Sequence, residues 1–117
     1  MTNVEEIRAF CIQKKGVTES FPFDNDTLVF KVLDKMFLLM SLEKQPVSFN
    51  VKCEPEKAIQ LRERYPESVL PGYHMNKLHW NTVIINHDLS ANLIKSFIDD
   101  SYQLVLKSLP KAKQLSL

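Results

Sequence analysis

The chain has 117 residues, with 15 Lys and Arg against 14 Asp and Glu, a formal charge of +1, and 44% hydrophobic residues. That length and balance describe one globular domain able to bury its own core. They exclude a protein that grips nucleic acid by bulk positive charge, so any such binding needs a local patch.

The opening MTNVEEIRAF carries acidic residues where a signal peptide needs a basic start. Instead it predicts a helix from Val4 to Lys15, capped by Asn3 with Glu6 or Thr2 with Glu5 and ended by Gly16. Val4, Ile7, Phe10 and Cys11 share its apolar face. A short strand at Glu19 to Phe21 precedes the Pro22 break and the turn FDNDT. Leu28 to Leu33 and Met36 to Leu42 form a hairpin joined by Asp34-Lys35. The second arm is apolar on both faces, as a central strand would be. After the EKQP loop, Val47 to Lys52 alternates, with Val47, Phe49 and Val51 buried and Ser48, Asn50 and Lys52 wet.

A second helix opens at Glu54-Pro55-Glu56, carries Arg62 and Arg64 in its last turn, and closes at Pro66. The third and longest runs from Ser90 to Ser108, with Ile94, Phe97, Ile98, Ser101, Leu104 and Val105 on one face. Pro110 stops it, and residues 111–117, KAKQLSL, read as a short flexible tail. The whole chain, 1–117, is read as a single domain. No apolar segment approaches the roughly 20 residues of a membrane span. Cys11 and Cys53 do not make a disulfide framework, so a soluble cytoplasmic protein is expected.

The stretch Val69 to Asn86, VLPGYHMNKLHWNTVIIN, concentrates the unusual residues: the only Trp, two of three His and one of two Gly. Pro71-Gly72 signals a turn. His79 to Asn86 alternates as a strand, with Trp80, Thr82, Ile84 and Asn86 on one face and His79, Asn81, Val83 and Ile85 on the other. The expected arrangement packs the indole and turns its polar neighbours outward.

The blocks FPFDNDTLVFKVLDKMFLLMSL, VKCEPEKAIQLRERYP, PGYHMNKLHWNTV and LIKSFIDDSYQLV, in that order, resemble the MmcQ/YjbR family of bacterial proteins, and PGYHMNKLHWNTV is the most specific of them. The resemblance implies an α+β fold: two layers, an antiparallel β-sheet with helices packed on it, similar to CyaY and to type III secretion chaperones. It also implies DNA binding through a double-wing motif, a label carried at the level of fold rather than of site.

The expected DNA-contacting residues are Tyr73, His74, Asn76, Lys77, His79, Trp80 and Asn81, with Lys52, Arg62 and Arg64 beside them. Cations would neutralise phosphates and amides would read base edges. The alternative is a chaperone-like interaction module that holds a partner segment, or a second copy, against the strand Met36 to Leu42 and the surface around Tyr73 and Trp80. No enzyme, metal or cofactor is expected. His74 and His79 lack close-paired ligands, Asp99 and Asp100 diverge on a helix, and Gly16 and Gly72 stand too far apart for a phosphate loop.

Overall fold

A computed structural model describes all 117 residues. Its strands are β1 (Val17–Ser20), β2 (Thr27–Val32), β3 (Lys35–Ser41), β4 (Ser48–Lys52), β5 (Val69–Pro71) and β6 (Trp80–Ile84). They form one antiparallel sheet in the order β1-β2-β3-β4-β6-β5. The helices are α1 (Val4–Ile12), α2 (Pro55–Arg64), α3 (Ala91–Lys107) and α4 (Lys111–Leu115). The two-layer α+β architecture expected from the sequence is the one observed. No helix is long and apolar enough to cross a membrane.

Alternation along the strands decides which side chains go under the helices. Phe30 and Val32 of β2, Leu38 and Met40 of β3, Phe49 and Val51 of β4 and Val83 of β6 join Ile7 and Cys11 of α1 in one cluster. Ile94, Phe97, Ile98, Tyr102 and Val105 of α3 complete it. A bulge between Phe30 and Lys31 on one strand and Leu38 and Met36 on the other leaves Phe37 unpaired. Phe37 and Leu38 therefore both enter the core, each 0% exposed. Burying a phenyl ring stabilises by roughly 2–3 kcal/mol, more than the ~1 kcal/mol of one ladder hydrogen bond, so the bulge is favourable. The shifted phase sends Met36 to the face away from the helices.

Ser101 pegs α3 to the sheet. Its hydroxyl donates to the Phe37 carbonyl at 2.6 Å and accepts the Lys52 N–H at 2.8 Å. Tyr102 likewise donates to the Lys15 carbonyl at 2.6 Å, holding the turn that follows α1.

Several boundaries differ from the sequence reading. The first helix stops at Ile12, three residues early, because the Lys14 N–H turns back to the Cys11 carbonyl and Gly16 then adopts φ +74°. Its cap is as expected: Asn3 Oδ1 accepts the Glu6 N–H at 2.9 Å, and the Glu6 carboxylate accepts from Thr2. The β2–β3 connection is Leu33-Asp34 rather than Asp34-Lys35, since Val32 pairs with Lys35. Val69–Pro71 is an edge strand where only a turn was read. Within the tail, Lys111–Leu115 is a helical turn, and Gln114 Nε2 donates to the Leu109 carbonyl at 2.8 Å.

Candidate functional site

The face of the sheet away from the helices carries a cavity of about 490 Å³. Its floor comes from Met36, Leu39 and Ser41 of β3, Ser48 and Asn50 of β4, and Thr82 of β6. One wall is Phe23, Asp24 and Lys44, from the loops flanking β2 and β3. The other is Tyr73, His74 and Met75, from the β5–β6 connection. The volume falls within the range of small-molecule sites, and the mixture of apolar lining with a few polar groups is theirs as well.

Hydrogen bonds fix the polar groups of the floor. The Tyr73 N–H donates to Thr82 Oγ1 at 2.9 Å, and that hydroxyl donates to Asn50 Oδ1. Asn50 thus presents its amide nitrogen to the cavity with no protein acceptor. Ser48, 6% exposed, also keeps an unpartnered hydroxyl that is not sealed from solvent. Across the floor, Asp24 Oδ1 accepts the N–H groups of Thr27 at 2.6 Å and Asp26 at 2.8 Å, and Oδ2 accepts the Thr27 hydroxyl. The Thr27 N–H, followed by that of Asp26, holds the Asp24 carboxyl below its ordinary value. Asp26 accepts from Ser41 and from the Glu43 N–H, which places the loop bearing Lys44. The Lys44 ammonium lies 5.5 Å from the centre of the Tyr73 ring and has no carboxylate partner.

The second wall depends on Gly72 and His74. A Cβ at Gly72 would stand 2.8 Å from Trp80 Cβ and 2.9 Å from the Trp80 carbonyl, so only glycine lets the two strands approach. The left-handed residue in this turn is His74, at φ +59°. Its ring lies 4.0 Å from that of Tyr73.

The expected contact residues divide between the two sides of the sheet. Tyr73 and His74 wall the cavity, Tyr73 being 62% exposed. Asn76 and Lys77 shape the loop below it: Asn76 Oδ1 accepts the Leu78 N–H at 2.9 Å, and Lys77 Nζ donates to the Gly72 carbonyl at 3.1 Å. His79 and Trp80 are half-buried, and the His79 carbonyl receives the Cys53 N–H. Lys52 lies opposite Trp80 at the end of β4 without an acidic partner.

Asn81 and Arg62 are corrections. Asn81 is 1% exposed, because alternation places it with Val83 on the helix-covered face. Arg62 Nε donates to its amide oxygen at 2.8 Å, and the same guanidinium donates to the carbonyls of Trp80 at 3.2 Å and Lys77. Asn81 is thereby closed to a base edge, and Arg62 spends its Nε and Nη2 donors on the protein itself. Arg64 is held beside Tyr65, whose hydroxyl accepts from it at 3.2 Å.

Sequence reasoning passed over Phe23, Asp24, Lys44, Ser48, Asn50 and Thr82 as site residues. The signal for Asn50 and Ser48 was their place on the polar side of an alternating strand, and for Thr82 its place on the Trp80 face. Elsewhere, no three His, Cys, Asp or Glu side chains gather as a metal site. Burial raises the Cys11 thiol to about 12, and burial likewise raises that of Cys53, so both resist forming thiolate.

The YjbR family model matches residues 12–104. Among named relatives, YbdF of Escherichia coli O157:H7 is 34% identical over 94% of this chain and 89% of its own. YjbR of Escherichia coli K12 is 31% identical over 95% and 93%. A crystal structure of a Deinococcus radiodurans DUF419-domain protein superposes with a TM-score of 0.93 at 38% identity, covering 99% of this chain and 88% of that one. A Pseudomonas syringae protein superposes at 0.71 with 30% identity, over 88% and 98%. Two of the blocks that carried the resemblance, FPFDNDTLVFKVLDKMFLLMSL and PGYHMNKLHWNTV, supply every wall residue of the cavity but Lys44. Sequence, fold and matched span agree, and this chain belongs to the YjbR family.

Proposed function

We propose that the protein is a binding module whose ligand sits in the cavity on the open face of the sheet. One observation carries this reading. A sheet face bare of helices is closed in by two loops, and the Ser48 hydroxyl and the half-buried Asn50 amide nitrogen, both reached by solvent, open into that space without protein partners. Polar groups left open at the bottom of an apolar cleft are suited to orienting a ligand. The partner-segment alternative uses the same surface, with Met36 and Leu39 as floor and Tyr73 as rim.

DNA binding draws less support. It requires several uncommitted cations on one patch. Of Lys52, Arg62, Arg64 and Lys77, Arg62 is engaged beneath the β5–β6 loop, Lys77 on Gly72 and Arg64 on Tyr65. Lys52 remains.

The test is a screen of small molecules and short peptides by amide chemical shifts, repeated with Leu39→Trp, which fills the floor. Ligands are expected to shift the amides of Leu39, Asn50, Tyr73 and Thr82, and to lose binding to the Trp variant. Shifts confined to Lys52 and α2, evoked by duplex DNA and unaffected by Leu39→Trp, would overturn the reading.

A further inference from the structure

We infer that the cavity selects a small aromatic monocarboxylate. The inference rests on the proposed binding role of the cavity and specifies its ligand chemistry. Shape comes first: Phe23 and Tyr73 rise from opposite walls, 64% and 62% exposed, above the apolar floor of Leu39. Two exposed aromatic side chains across a cleft offer stacking faces to a planar ring.

The polar inventory then sets the sign. With Asn50 Oδ1 accepting from Thr82, the rest of that side chain is a donor. Ser48 has a proton to donate, and Lys44 at the rim donates only. The sole acidic group of the lining, Asp24, already receives three hydrogen bonds from its own turn. The cavity therefore keeps open donors at Asn50, Ser48 and Lys44 while its one carboxylate is largely taken up by its own turn, which matches a ligand carrying acceptor oxygens.

Charge sets the number. Lys44 is the one permanent cation among the lining groups, the other ionisable ones being Asp24, Tyr73 and His74. A carboxylate puts one negative charge against one ammonium. A phosphate dianion would bring a second charge for which the lining holds no further permanent cation. Lys44 is exposed, so screening keeps its effect modest.

The experiment uses 2-naphthoate and its neutral isostere 2-naphthamide as probes, titrated by calorimetry or amide shifts. Naphthoate is expected to bind roughly fivefold more tightly. Lys44→Met should abolish that preference, weakening naphthoate about fivefold more than naphthamide. Asn50→Asp, which retains the acceptor for Thr82 but replaces the amide donor by an anion, should reverse it. Equal binding of the two probes, or a preference that survives Lys44→Met, overturns the carboxylate inference and leaves the cavity reading standing. The inference also falls alone if neither probe binds but another screened ligand occupies the cavity. If no ligand of any class shifts the cavity amides, both fall.

Discussion

Arg62 shows how a residue that reads as a surface cation becomes part of the scaffold. It lies in the last turn of α2, where a positive charge suits the helix dipole. Its guanidinium nevertheless reaches under the β5–β6 loop to one side-chain and two backbone oxygens. Five donors in a rigid fork allow this, and a lysine could not reproduce it. Arg62→Met keeps much of the aliphatic stem but leaves the Asn81 amide oxygen buried without its donor. The expected loss is about 2 kcal/mol, in line with charge-assisted bonds to a buried acceptor. The midpoint of urea unfolding at constant m reads it directly. A shift equivalent to less than about 0.5 kcal/mol would mean that water replaces the guanidinium. The variant should also broaden the amide signals of Tyr73 and His74, since the loop it anchors continues from the cavity wall.

At the level of elements, the β2–β3 hairpin carries a local conflict. Leu33 and Asp34 both adopt left-handed conformations, φ 48° and 71°, as the two central positions of a tight hairpin turn. Such turns favour glycine at the second position. Asp34→Gly is therefore expected to raise stability by about 0.5 kcal/mol, the relief of left-handed strain exceeding the added unfolded-state entropy. Thermal unfolding would show a small upward shift in Tm, and a fall would contradict the strain assignment. Leu33→Gly offers no such gain, because the leucine packs partly against the core.

This hairpin also marks how far elements are legible in the chain. Alternation grouped the side chains of β4 and β6 correctly, although the Asn81 side of β6, expected outward, lies under the helices, and 3.6-residue periodicity placed α3 to within a residue at each end. The bulge at Phe37 left no trace, because a run such as MFLLMS is apolar whichever residue is skipped. A three-residue edge strand ending in proline has too few positions to show a period, so β5 read as a turn. Among the site residues, Tyr73 and His74 stood out by their local composition. Lys44 and Phe23 did not, because what makes them site residues is the sheet order that brings two distant loops over β3 and β4.

For the molecule as a whole, the near-neutral charge and the placement of its cations limit how any polyanion could bind. Counterion release ties the salt dependence of affinity to the number of phosphates neutralised, with a log–log slope of about −0.9 per contact on duplex DNA. On the open side of the sheet, Lys44 beside Tyr73 and Lys52 opposite Trp80 hold no oxygen of the protein, whereas Arg62, Arg64 and Lys77 do. Any duplex binding at this surface should accordingly show a slope of about −2 between low and physiological salt. Lys52→Ala should bring it to about −1, while Lys77→Ala should leave the slope unchanged and act through the Gly72 loop instead. Fluorescence anisotropy with a labelled duplex across a salt series measures all three. A slope steeper than about −5, or one flattened by Lys77→Ala, would require Arg62 and Lys77 to leave their present partners and face the nucleic acid. It would then be the β5–β6 loop, rearranged, that forms the binding surface in place of the cavity it now encloses.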